Sequence, residues 1–156
     1  DFGVAARHAP AGGAAARAAA AALITNRSMP EAAVIPVLAY PDVNEAASWL
    51  SEAFGLEVRM RIGDHRIQLV RGTGAVVAAQ GVIGDTSTHS VLVRVEDADA
   101  HREHAAAAGA TIFSPPADYE YGERQYTAED LAGHRWTFSQ SIADVDPADW
   151  GGELTS

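Results

Sequence analysis

The sequence predicts an α+β fold made of two similar βαβββ modules. Three observations carry that expectation. Short runs of alternating apolar and polar residues recur between Gly-containing turns, as half-buried strands require. Two further segments read as helices, one from apolar residues at helical spacing and one from an Ala-rich composition stopped by glycine. Finally, residues 35–55 and 90–109 follow one order of strand, acidic turn, helix and glycine, which aligns Asp42 with Asp97 and Gly55 with Gly109. Two copies indicate a duplicated module rather than a solenoid.

The elements follow in order. VIPVLAY (34–40) is an apolar, β-rich run ended by Pro41-Asp42. Residues 44–54 read as a helix, with Ala46, Ala47, Leu50, Ala53 and Phe54 on one face and Gly55 as the stop. EVRMRI (57–62), HRIQLVR (65–71) and GAVVAAQ (74–80) read as three strands separated by Gly63-Asp64 and by Gly72-Thr73-Gly74. A polar linker, 81–87, leads to the strand HSVLVRV (89–95), an Ala-rich helix over 97–108 stopped by Gly109, and the short strand TIFS (111–114). Pro115-Pro116 predicts a loop over 115–122. ERQYTAED (123–130) and HRWTFSQ (134–140) form a strand pair around a turn at 131–133. In the tail, 141–156, Asp146-Pro147-Ala148-Asp149-Trp150 is an N-cap, a Pro at the first helical position and one short turn, with Trp150 as its anchor to the body.

Bulk properties exclude several function classes. The chain has 156 residues, 47% of them hydrophobic, which suffices for a core, and one domain is the default. A net charge of −10 disfavours a nucleic-acid partner, because phosphate binding needs a Lys/Arg surplus. No basic cluster points to a membrane surface, and no apolar run reaches the ~20 residues of a membrane helix. With no cysteine, disulfides and thiolate metal sites are excluded, which fits a cytoplasmic protein. Residues 1–28, mostly Ala and Gly, lack core periodicity and read as an extension or tag outside the fold, or as a short docking helix. The domain is then 29–156, with modules at about 33–81 and 88–140.

Four stretches, 34–55, 89–110, 121–140 and 144–151, together resemble the vicinal oxygen chelate superfamily of glyoxalases, ring-cleaving dioxygenases and bleomycin- and fosfomycin-resistance proteins. The third, YGERQYTAEDLAGHRWTFSQ, is similar to the closing motif of small PhnB-like glyoxalase relatives. The resemblance implies two modules whose mixed sheets cup a pocket, helices on the outer face, and a homodimer as the usual assembly. Fold does not fix function, so one activity is not implied.

The resemblance also implies positions for a metal, and here they hold residues of other kinds. The first ligand, a His seven residues before the turn Asp, falls on Ile35. The Glu closing the first module has no counterpart in 74–80, where Gln80 is the nearest polar residue. In the second module the ligand position falls on Ser90 rather than its neighbour His89, and the final Glu position falls on Thr137. No cofactor is therefore expected. His89 remains as the alternative ligand of a divalent metal ion. His65, His101 and His104 read as surface residues, and His134 as a turn-shaping one.

Alternation assigns the cup's lining. Placing Ser90, Leu92 and Arg94 on one face gives Val91, Val93 and Val95 to the helix-packed face, and likewise Arg135, Thr137 and Ser139 face away from Trp136 and Phe138. In the first module Val58, Met60 and Ile62 are expected under the helices, with Arg59, Arg61, Arg66 and Gln68 in the cup. Tyr119, Tyr121 and Tyr126, on or beside the 115–126 loop, are candidates to stack on a flat ligand. Arginine forks suit an anionic or oxygen-rich ligand. The expected function is metal-free binding of a small molecule by a homodimer. The alternatives are a metal-dependent lyase, isomerase or dioxygenase with ligands drawn from His89, Gln80 or Glu123, and a domain that serves interaction only.

Overall fold

A computed structural model describes residues 26–155; most of the N-terminal extension read from the sequence lies outside the described residues. Both modules belong to one compact unit that begins at Glu31. The first contains β1 (Val37–Tyr40), α1 (Val43–Phe54), β2 (Glu57–Ile62), β3 (Arg66–Arg71) and β4 (Gly74–Gln80). The second contains β5 (Ser90–Arg94), α2 (Ala98–Ala107), β6 (Thr111–Tyr119), β7 (Glu123–Glu129) and β8 (Arg135–Ser141). Each module folds its strands into one mixed sheet, ordered β1-β4-β3-β2 (sheet A) and β5-β8-β7-β6 (sheet B). The first strand of each pairs parallel with the last. The repeat seen in the sequence is thus a repeat of topology.

The matched acidic turns are helix caps. Asp42 accepts from the backbone N–H groups of Asn44 and Glu45, and Asp97 accepts from that of Ala100. These carboxylates satisfy donors that a helix start leaves orphaned. Gly55 ends α1 at φ +79°, its N–H bonded to the carbonyls of Leu50 and Ser51.

Helices and sheets share one core. Ala46, Ala47, Leu50, Ala53 and Phe54 of α1 are fully buried with Ile67, Leu69, Trp136 and Phe138. The Phe54 ring packs 5.5 Å from Trp136 and 4.8 Å from Phe138, so α1 seals against the sheet of the other module as well as its own. The alternation on β5 and β8 places Val91, Val93, Trp136 and Phe138 against this core and leaves Ser90, Leu92, Arg94, Arg135 and Thr137 on the opposite face.

Two expectations are corrected. First, β2 carries a bulge between Val58 and Met60: Val58 faces Leu69, but Met60 faces Gln68. The extra residue, Arg59, reverses every later side chain. Met60 and Ile62 therefore lie on the concave side, and Arg61 lies on the helix side, where its guanidinium donates to Oδ1 of Asn44 at 2.9 Å. Second, residues 115–119 are not loop but the continuation of β6, which runs through Pro115-Pro116 with register shifts on both sides of Ser114. The prolines are tolerated because β6 is the edge of sheet B and bulged where they occur.

A buried polar cluster joins the modules. Oδ1 of Asp130 accepts from the N–H groups of Ala132 and His134, and its Oδ2 from the Tyr40 hydroxyl at 2.6 Å and the Trp136 indole at 3.1 Å. Nε2 of His134 donates to the carbonyl of Ala39 at 2.7 Å. Burial, then the adjacent Asp130 charge, pushes the Tyr40 phenol far above its ordinary value, so it stays a donor. His134 both shapes its turn and reaches β1.

Candidate functional site

The concave face of sheet B concentrates the chemistry. A chain of side chains crosses it from β5 to the β6–β7 turn. Arg94 on β5 reaches Glu123 of β7 at 3.4 Å and also bonds the Ser141 hydroxyl. Glu123 accepts from the Ser139 hydroxyl at 2.7 Å; Ser139 accepts from the Gln125 amide at 2.9 Å; Gln125 accepts from the Tyr121 hydroxyl at 3.0 Å. Beside this chain, the hydroxyls of Thr127 and Thr137 share a 2.8 Å hydrogen bond. Ser139 is wholly buried beneath its partners. The Ser141 hydroxyl, then Ser139 and Arg94, hold the Glu123 carboxyl below its usual range. Burial, with Tyr119 and Glu123, raises the Tyr121 phenol.

Aromatic rings stand at the turn end of this polar strip and at the far end of the strands it crosses. Tyr119 and Tyr121 stack with centroids 5.4 Å apart, and Trp150 of the tail packs 5.4 Å from Tyr121. At the opposite end of the strands, beyond the Thr127–Thr137 pair, the Arg135 guanidinium lies 4.1 Å from the centroid of Phe113. Phe113 sits at the first register shift of β6, which aims it into the cup.

The predicted residues thus divide. Ser90, Arg94, Arg135, Thr137 and Ser139 share the concave face of sheet B, with Tyr121 at its end. Tyr126 does not: it is cross-strand from Phe138, buried behind the sheet, with its hydroxyl 2.5 Å from Nδ1 of His101. Arg66 and Gln68 lie on the concave side of sheet A, where Gln68 accepts from Arg59 at 2.5 Å and is itself buried. Around them that face is mostly small and apolar, with Ala75, Val77 and Ala79 from β4. Arg61 belongs to the other face, as described.

His101 is likewise not a surface residue. Its ring lies 4.2 Å from Phe138, Nε2 donates to the Phe54 carbonyl at 3.1 Å, and Nδ1 accepts from Tyr126. Burial lowers its pKa. His104 remains exposed, with Nε2 on the carbonyl of Glu52 at 2.7 Å.

The family's metal does not fit the residues present. Ile35, Ser90 and Thr137 offer no imidazole or carboxylate. His89 stands beside His134, centroids 5.6 Å apart, while Glu123 is committed to Arg94 and Ser139. Among the described residues no group of three His, Cys, Asp or Glu side chains converges to hold an ion.

A wide cleft of about 1390 Å³ lies elsewhere, between the β3–β4 turn and the free edge of β5. Its lining includes Val91, Val93, Val95 and Trp136 of the core-facing side, and it meets the polar strip at Arg94 and Ser141, without Glu123, Gln125, Ser139 or Tyr121. The strip's ordered hydrogen bonding, not the cleft's size, marks the site.

Residues 32–138 match the model of the Glyoxalase/Bleomycin resistance protein/Dioxygenase superfamily. The chain belongs to this superfamily. TioX from Micromonospora sp. ML1 is 33% identical, with a TM-score of 0.61 over 70% of this chain and 98% of TioX. A glyoxalase/bleomycin resistance protein from Streptomyces sp. CB03234 shares the fold at 18% identity, TM-score 0.59, over 68% of this chain and 97% of that one. A lactoylglutathione lyase from Agrobacterium tumefaciens shares it at 13% identity, TM-score 0.56, over 71% and 94%. No curated protein matches the chain in sequence. The superfamily's cup is recognisable here in both sheets. Phe113 and Gln125 belong to its lining although the sequence reading passed them over; the alternation of β7, with Tyr126 and Ala128 behind, was the signal for Gln125. No helix among the described residues is long and apolar enough to cross a membrane.

Proposed function

We propose that this superfamily member is a cytoplasmic small-molecule-binding protein that holds a flat, hydrogen-bonding ligand on the concave face of sheet B without a metal ion. The observation that carries the reading is the continuous strip from Arg94 through Glu123, Ser139 and Gln125 to Tyr121, where it meets the Tyr119–Tyr121 stack. Such a strip fixes a polar edge of a ligand while the rings cover its faces. Its members hold one another in place, so little ordering is left for the ligand to impose.

A homodimer is part of this reading. Each sheet ends in an edge strand with an exposed apolar residue, Val37 on β1 and Leu92 on β5, at 53% and 59% exposure. Pairing of copies over these edges covers them and closes the open side of the cup. Sedimentation analysis of the wild type and Leu92→Arg tests the assembly, with a dimer expected for the first and monomer for the second.

Binding is tested with the neutral flat probe 2-naphthamide by tryptophan fluorescence. Saturable binding, unaffected by EDTA and lost in Thr137→Trp, is expected. Binding that EDTA abolishes points instead to a metal-dependent lyase, isomerase or dioxygenase; binding that survives Thr137→Trp rejects the concave face.

A further inference from the structure

Arg135 differs from the other cationic residues of sheet B. Arg94 is paired with Glu123, and Arg124 with Asp99 and Asp118. Among the described residues the Arg135 guanidinium makes no hydrogen bond or ion pair; the Phe113 ring lies beneath it, and the Asp85 carboxylate is close enough to feel its charge. Yet the residue is more than half covered, on the middle strands of the cup rather than at a free edge. A guanidinium stacked on a ring loses little rotamer freedom on binding and keeps its planar fork of donors directed sideways. Phe113, in turn, is 54% exposed, so the pair presents an aromatic surface next to a row of unused N–H donors.

The neighbours limit what fits. Ser90 and Glu129 are the cross-strand partners of Arg135 on the same face, and Thr137 follows two residues on. Glu129 makes no ion pair with Arg135 among the described residues, although it stands directly opposite. The nearby Asp85 carboxylate already accepts from the backbone N–H and hydroxyl of Ser87. Both carboxylates oppose negative charge on a ligand, a dianion more than a monoanion, while neither occupies the fork.

We infer that Arg135, seated on Phe113, is the anchor for the carboxylate of a flat aromatic monocarboxylate, whose ring extends over Phe113 and Thr137 toward the polar strip. The inference rests on the concave-face reading and adds the ligand's charge and its orientation. An Arg–carboxylate pair is frequently bidentate, which fixes orientation as well as adding energy. The neutral amide of the same ring cannot use both prongs as acceptor sites.

The test compares 2-naphthoate with 2-naphthamide on the full chain. The wild type is expected to prefer the carboxylate by about tenfold or more, with dissociation constants below about 1 mM. Arg135→Gln brings the two probes within about twofold of each other by weakening the carboxylate alone. Arg135→Lys retains the charge but loses the fork and the stack, and is expected to lose most of the preference. Phe113→Leu keeps an apolar residue and weakens both probes. Equal binding of the two probes by the wild type, or a preference that persists in Arg135→Gln, overturns the inference and leaves the concave-face reading standing. No saturable binding of 2-naphthoate also overturns it. If Thr137→Trp leaves both probes bound, both readings fall together.

Discussion

The Tyr40 hydroxyl of β1 donates to Oδ2 of Asp130, 2.6 Å away and 90 residues along the chain. One carboxylate thereby gathers donors from both modules: Tyr40 from the first, and Trp136, Ala132 and His134 from the second. Asp130→Ala would strand a phenol, an indole and two backbone N–H groups in the interior. A loss of about 3 kcal/mol in unfolding free energy is expected. Asp130→Asn should recover part of it, since an amide oxygen still accepts but its NH₂ opposes a donor. Urea denaturation measures both, and a wild-type midpoint for Asp130→Ala would show that the cluster does not hold the modules together.

His101 makes stability depend on pH. Burial lowers its pKa in the folded state relative to the ordinary 6.5. The unfolded chain then binds a proton that the folded chain refuses, so stability rises with pH across that interval and falls as pH drops below 6.5. Compared between about pH 7.5 and 5.5, wild-type unfolding free energy should decline more steeply than that of His101→Phe. Parallel slopes for the two proteins would remove His101 as the cause.

Gly122 sits at φ +83° in the β6–β7 turn, and a Cβ there would meet the carbonyl oxygen of Ala143 at 2.1 Å. Backbone conformation and a close main-chain approach both demand glycine. Gly122→Ala is expected to cost about 3 kcal/mol and to shift the turn that carries Tyr121. Thermal unfolding, together with 2-naphthamide binding, reads the two effects separately. An unchanged melting temperature would mean that the tail yields freely at Ala143.

The paired caps allow a simple comparison. Asp42→Ala removes the acceptor of two helix N–H groups and Asp97→Ala that of one. Each should destabilise by about 1 kcal/mol. Thr in either place should restore most of the loss, and failure of Thr to do so would assign the effect to charge rather than capping.

Much of the fold was legible because the signals were local. The duplicated strand–Asp–helix–Gly order identified both modules, and unbroken alternation assigned the faces of β5 and β8 correctly. β2 was misread for a physical reason: EVRMRI alternates regardless of a bulge, and only the pairing partners Leu69 and Gln68 reveal the extra residue at Arg59. Pro115-Pro116 was read as a loop because sequence does not say which strand is the sheet's edge. Tyr126 was read with the neighbouring loop, although its spacing from Ala128 matched that of Trp136 and Phe138. His101 was legible in part, since it lies three residues from Ala98 and four from Ala105, the buried stripe of α2. Asp130 and the lone Arg135–Phe113 stack needed coordinates, because both arise between strands.

The prolines of β6 have a consequence for how this protein can associate. A growing β-assembly extends by offering N–H and C=O groups to the next strand, and the Pro115-Pro116 pair, at a bulge, interrupts the row of donors that β6 presents. Of the two edges of sheet B, β5 is the one without proline. An approaching strand therefore meets an unbroken backbone row at β5 and a broken one at β6, so sheet B resists growth from one of its two sides.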